Sequence, residues 1–285
     1  MATTLPTPSN PRALRRTTGV LLLVGALSFA ASATVLSSTF DWPDILREDA
    51  DVVLPAFLLG GSTLIWTWFA TAWTYAILFV PVLLLPRVLG RANDPILRIA
   101  TTVGAASVGF SLIGFLRWVF VVPALARSWE TGDAVTRAAT EAAWLAQHQF
   151  GGALLGEHLG QLGAIAWSIT LSIVILRTKV LPSWLGWFGV ISSSVYLLNQ
   201  GDILATAVPG FPVIDIAGLA GSGSWSLWVA ALGLSLILRK NKQEQAPATE
   251  TTTAPLDSTI AQGGKRVATS LRHITRLLGI PFTRT

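Results

Sequence analysis

Residues 52–85 read VVLPAFLLGGSTLIWTWFATAWTYAILFVPVLLL, 34 consecutive positions without a charged side chain. A helix needs only ~20 such residues, rising ~1.5 Å each, to cross a hydrocarbon core of ~30 Å. Surface helices of soluble domains are apolar on one stripe and charged on the other, so they do not carry runs of this kind. At about 51 Å as a straight helix, the run must tilt, bend or protrude. Pro55, Gly60, Gly61 and Pro81 are the positions where it is expected to do so.

Working outward, five further apolar stretches are long enough to span: residues 17–37, 96–122, 151–176, 184–207 and 216–238, with 56–81 as the crossing part of the first run. The composition agrees. The chain is 52% hydrophobic and only 12% charged, with a mean hydropathy of +0.59, whereas soluble domains carry about a quarter charged residues. No period-2 pattern competes. The expected fold is all-α, a six-transmembrane-helix bundle over residues 17–239.

Lys and Arg set the orientation. Arg12, Arg15 and Arg16 precede the first stretch, Arg87, Arg91 and Arg98 follow the second, Arg177 and Lys179 follow the fourth, and eight more follow the sixth. That is sixteen of the 20 basic residues on alternate loops, so both termini are expected on the cytoplasmic side. The acidic loop 41–51 then faces outward. The net charge of +5 needs no nucleic-acid partner, because topology accounts for it. Arg15-Arg16 followed by an apolar stretch and Ala31-Ser-Ala33 resembles a signal peptide, but residues 19–36 outrun the usual ~7–15-residue h-region. The first helix is therefore expected to be retained. Residues 1–16 read as a cytoplasmic segment and 240–262, rich in Thr, Ala, Pro and Gln, as a disordered linker. In 263–285, Val267, Leu271, Ile274 and Leu278 recur at helical spacing among basic residues, a pattern suited to an anionic lipid surface.

Ionisable groups inside the spans cost several kcal/mol and mark functional positions by default. They are Arg117, Glu157, His158, Asp202 and Asp215, accompanied by Gln161, Asn199 and Gln200. With alternating helix directions, Arg117, Glu157 and residues 199–202 all fall in the outer half of the bilayer. At ~100° per residue, Glu157, Gln161 and His158 share one arc of the fourth helix. Gly152, Gly156 and Gly160 occupy a second arc, a close-packing face for another helix. Leu155, Leu159, Leu162, Ala166, Ile169 and Ile173 form a third, aliphatic arc. Arg117 is expected to orient Glu157 and Asp202, and one Arg against two carboxylates leaves an acidic excess that calls for a proton or cation. Trp42, Trp129, Trp144, Trp184 and Trp187 fit interfacial belts, and Trp66, Trp68, Trp73, Trp225 and Trp228 fit core packing.

Other chemistries find little support. With no Cys there are no disulfides, thiolate metal sites or thiol nucleophiles. His148 and Glu157 fall about 180° apart on a continuous α-helix, and no H-E-x-x-H spacing occurs, so neither a metal nor another cofactor is expected. Ser192, Ser193 and Ser194 lack a nearby His, and the glycines of 218–223 lack nucleotide-binding spacing.

The segments FDWPDIL (40–46), RWVFVVP (117–123), GEHLG (156–160), WLG (184–186) and VPGFPVIDIAG (208–218) together resemble a bacterial multi-pass membrane family, catalogued as domain of unknown function 4386. The likeness runs over residues 15–239. It implies a helical domain of a bacterial cytoplasmic (inner) membrane and attaches no activity to it. From the residues themselves the leading expectation is an outward-facing polar pocket that binds or moves a small cation, a proton-coupled solute or an amphiphile. Its lining would be Arg117, Glu157, His158, Gln161, Asn199, Asp202 and Asp215. The rival readings are an intramembrane lipid hydrolase using carboxylates with His148 or His158, and a structural or signalling protein whose polar cluster locks helix packing. The reading leans away from an enzyme.

Overall fold

The computed structural model describes residues 10–239; the linker and basic tail expected beyond residue 239 lie outside the described residues. The secondary structure described is helical throughout. α1 spans Pro11–Phe40, α2 Ala50–Ala76, α3 Phe79–Val88, α4 Pro95–Phe120, α5 Val122–Thr131, α6 Ala134–Gln147, α7 Gly160–Thr178, α8 Ser183–Leu198, α9 Gln200–Ala205 and α10 Ile216–Leu238. Residues His148–Leu159 are π-helical and join α6 to α7, and Asp44–Arg47 form a 3-10 turn between α1 and α2.

Local chemistry explains the helix starts. Asn10 and Asp94 each precede a proline at the first helical position and accept from exposed backbone N–H groups, Asn10 from Arg12 at 3.0 Å and Asp94 from Ile96 at 3.0 Å. Asp133 caps α6 through the Thr136 N–H at 2.9 Å. The long apolar run bends twice. Gly61 takes φ 55° and ψ −151°, a conformation reserved for glycine. The helix then breaks at Ile77–Leu78, where Pro81 removes the N–H that would bond to the Ile77 carbonyl. Nothing lies within 4 Å of a Cβ placed at Gly61, so the backbone alone opposes a side chain there. Gly61→Ala is expected to destabilise by ~1–3 kcal/mol, read as a lower melting temperature in detergent; an unchanged midpoint would refute the kink as a fixed feature.

Neighbour contacts run from α1 to α2, α2 to α4, α4 to α7, α7 to α8, α8 to α10, and α10 back to α1. The helices therefore close a ring in chain order. At one end Leu22, Leu85, Leu97, Leu171, Trp228 and Leu232 fill its middle. A second cluster joins Phe40, Ile45, Leu46, Phe57, Trp68 and Trp118 toward the other end, with the Trp68 and Trp118 rings stacked at 4.8 Å. Trp144 belongs to this core, while Trp66 and Trp73 are exposed, the reverse of the belt and core roles expected for them. Gly19 packs on Gly233, where a Cβ at either would meet the other's carbonyl oxygen at 2.6–2.7 Å, so the start of α1 and the end of α10 share one end of the ring.

Five stretches among the described residues are long and apolar enough to cross a membrane: Pro11–Phe40, Ala50–Val88, Pro95–Thr131, Ala134–Thr178 and Ile216–Leu238. This corrects the expectation of six continuous spanning helices. The stretch 184–207 is divided into α8, of 16 residues, and α9, of six. The break falls at Asn199, whose N–H bonds three residues back to the Tyr196 carbonyl rather than four. Asn199 and Gln200 turn their amides to Gln161 on α7, and Gly201 adds little helix propensity. α8 nonetheless runs antiparallel beside α10: Trp228 donates to the Leu185 carbonyl at 2.9 Å, and Gly221 lies against the Tyr196 backbone.

Candidate functional site

The acidic loop after α1 folds back on the bundle. Two of its apolar residues, Ile45 and Leu46, are buried in the second core cluster, and this carries the next residue, Arg47, inward. Arg47 Nε donates to both carboxylate oxygens of Asp202 at 3.1 Å, and Nη2 donates to Asp202 Oδ2 at 2.7 Å and to Glu157 Oε2 at 2.6 Å. One guanidinium thus ties the loop to α9 and to the π-helical segment. Burial by itself lowers the Arg47 pKa, but Glu157 and the hydrogen bonds to Asp202 outweigh it and raise the value above normal. Arg47 stays charged.

Arg117 does not orient these carboxylates, contrary to expectation. It forms no ion pair within 4.0 Å among the described residues. Its guanidinium lies over Gly152 and against the Trp118 ring, and Nη1 makes one long hydrogen bond, 3.5 Å, to the His148 carbonyl. The residue is 6% exposed, and its Nε has no partner. Glu157 Oε1 is likewise buried and unpartnered. With Arg47 present, two guanidinium groups face two carboxylates. Among these described groups the acidic excess read from the sequence is cancelled.

A second polar chain lies beside the first. His158 Nδ1 is 2.7 Å from Gln200 Oε1, Gln200 Nε2 donates to Gln161 Oε1 at 3.0 Å, and Asn199 Nδ2 donates to the same oxygen at 3.1 Å. Gln161, Asn199, Glu157, Asp202, Arg47 and Arg117 all border one cavity of about 680 Å³. His158 reaches this group only through Gln200. Asp215 stands apart, exposed at the start of α10 and outside the cavity wall. Among the described residues no three His, Asp or Glu side chains are grouped so as to hold a metal ion.

The glycine row sets how closely the wall of this cavity packs. A Cβ at Gly156 would lie 2.9 Å from Gly114 Cα, one at Gly160 would lie 2.5 Å from Ser111 Oγ, and one at Gly152 would overlap the Arg117 guanidinium. All three meet α4. The π-helical turns place these residues with wider i→i+5 bonding, so the arcs drawn at ~100° per residue do not hold through 148–159.

The rest of the cavity is mostly apolar, with the hydroxyls of Ser111, Ser222 and Ser226 set into its wall. Ala26, Phe29, Tyr75, Phe115 and Trp225 form its deeper part, and Leu27 and Leu227 flank it on α1 and α10. The sequence reading missed Arg47. The available signal was the apolar pair Ile45-Leu46 inside an otherwise acidic loop, which has no reason to sit there unless the loop packs on something.

No curated protein and no solved structure matches the chain. Residues 17–233 match the family described as Domain of unknown function (DUF4386), and the chain belongs to that family.

Proposed function

We propose that the chain is a six-crossing protein of a bacterial inner membrane that binds an amphiphile in an outward-facing cavity. The observation that carries this reading is the uneven wall of the 680 Å³ space. Charged and amide side chains gather at one end, where α1 finishes and α9 lies, and aromatic and aliphatic side chains with scattered hydroxyls, and no further charge, line the rest. That division matches a molecule with one polar end and one apolar end. A small cation fits less well, because the two guanidinium groups already balance the two carboxylates.

α8 and α9 together serve as the fifth crossing, about 34 Å long at 1.5 Å per residue over residues 183–205. The Gly19–Gly233 contact supports an even number of crossings, since it brings both ends of the described chain to one face. Arg15, Arg16 and Arg239 lie at that face, which the positive-inside rule assigns to the cytoplasm. Single cysteines test the reading in intact cells without background labelling, because the chain has none of its own. Cysteines at Gln161 and Asn199 are expected to react with a membrane-impermeant maleimide added outside, and those at Leu162 and Ile173 to stay unmodified. In detergent, added diacyl lipid should protect the Gln161 cysteine. Reaction only from inside reverses the orientation, and no protection by any amphiphile removes the proposed function.

A further inference from the structure

We infer that the ligand is a zwitterionic aminophospholipid of the outer leaflet, its phosphate on Arg117, its primary ammonium on Glu157, and its acyl chains leaving the bundle between α1 and α10. The inference rests on the amphiphile reading above and adds the headgroup and the route.

Arg47, Arg117, Glu157 and Asp202 sum to zero, so a ligand of net charge would leave one charge uncompensated in a low-dielectric space. A ligand that carries both signs does not. Within the balanced set the hydrogen-bonding capacity is unequally used. Arg47 spends Nε and Nη2 on the two carboxylates. Arg117 has one long bond and an unpartnered Nε, and Glu157 has an unpartnered Oε1. The residues with unspent capacity, Arg117 and Glu157, border the same cavity, with the unpartnered Nε and Oε1 buried in its wall. A guanidinium takes a phosphate through paired N–H bonds, and a carboxylate oxygen accepts from a primary ammonium. A quaternary ammonium has no N–H to give, and a glycerol headgroup has no cation.

The route follows from how α1 and α10 meet. They touch at Gly19 and Gly233, yet further along both helices border the cavity with exposed residues, Leu27 on α1 and Leu219 and Leu227 on α10. Residues that line a cavity and are also exposed mark its opening. A Cβ at Gly223, between the two leucines, would meet nothing within 4 Å. The opening is thus a wedge in the uncharged flank of the bundle, edged by Leu27, Leu219 and Leu227 and leading to the polar end. A lipid whose headgroup sits high and whose chains sit lower has the matching orientation.

The test uses a Ser226→Cys protein in a neutral sugar detergent, with maleimide labelling of this cavity residue as readout. Phosphatidylethanolamine is expected to half-protect the cysteine at a concentration at least tenfold below phosphatidylcholine or phosphatidylglycerol of the same chains, and water-soluble glycerophosphoethanolamine should not protect. Glu157→Gln should erase the difference between ethanolamine and choline lipids. Gly223→Leu should raise the half-protecting concentration at least tenfold with an unchanged melting temperature, which separates blocking the route from unfolding. Equal protection by all three lipids leaves the amphiphile cavity standing and overturns the headgroup assignment. Protection by the soluble headgroup overturns the lipid source, and protection by none overturns both readings.

Discussion

Arg47→Met is expected to lower the stability of the folded chain by roughly 3 kcal/mol, the cost of leaving two partly buried carboxylates without their cation. Removing one partner of a buried pair costs ~3–5 kcal/mol. Here the low end applies, because Arg47, Glu157 and Asp202 retain 26%, 16% and 34% side-chain exposure and water screens what remains. Pairing raises the Arg47 pKa, so its stabilising charge is present at every pH below the unfolded value and is lost only as pH rises past the folded one. Arg47→Lys should recover part of the loss, since an ammonium cannot reproduce the fork that reaches both carboxylates. Adding Glu157→Gln and Asp202→Asn to Arg47→Met should restore most of it. Thermal unfolding of the four proteins in detergent reads all of this, and an Arg47→Met midpoint equal to the parent's would remove the clamp from the account.

Gly156→Leu is expected to be worse, abolishing recovery of folded protein. The atom that opposes a side chain there is Gly114 Cα, part of the α4 backbone, at 2.9 Å from the added Cβ. A flexible side chain could swing aside; a helix axis moves only with everything packed on it. Overpacking a core costs ~1–3 kcal/mol where side chains yield, and more where backbone must. Gly156→Ala should already lower the melting temperature clearly. Gly152→Ala meets the far end of Arg117 instead, so it should fold and displace that guanidinium. Gly223→Leu is the matched control in open space. Equal melting temperatures for the Gly156→Leu and Gly223→Leu proteins would contradict the packing described.

Much of the candidate site was legible before folding. Glu157, Gln161, Asn199 and Asp202 stand out because charges and amides are costly in hydrocarbon, and all four border the cavity. Asp215 met the same criterion and lies elsewhere, because proximity to an apolar stretch does not tell which way a helix end faces. Arg117 was found but forms no ion pair among the described residues, and the arginine that does, Arg47, was not singled out. The pairing that matters joins Arg47 to Asp202 across 155 positions and to Glu157 across 110, and no local pattern carries such a relation.

Residue by residue, the chain alone determined that it is helical, that its helices are long and apolar, and which side chains are too polar to face lipid. Those properties are sums over neighbouring positions, and hydration energies add locally. Tertiary structure decided the rest: the division of 183–205 at Asn199, the π-helical turns beneath Glu157, and the loop that brings Arg47 to balance the carboxylates. Each depends on what a distant segment presents, since hydrogen bonds and ion pairs act through space over a few ångströms, whatever the separation along the chain.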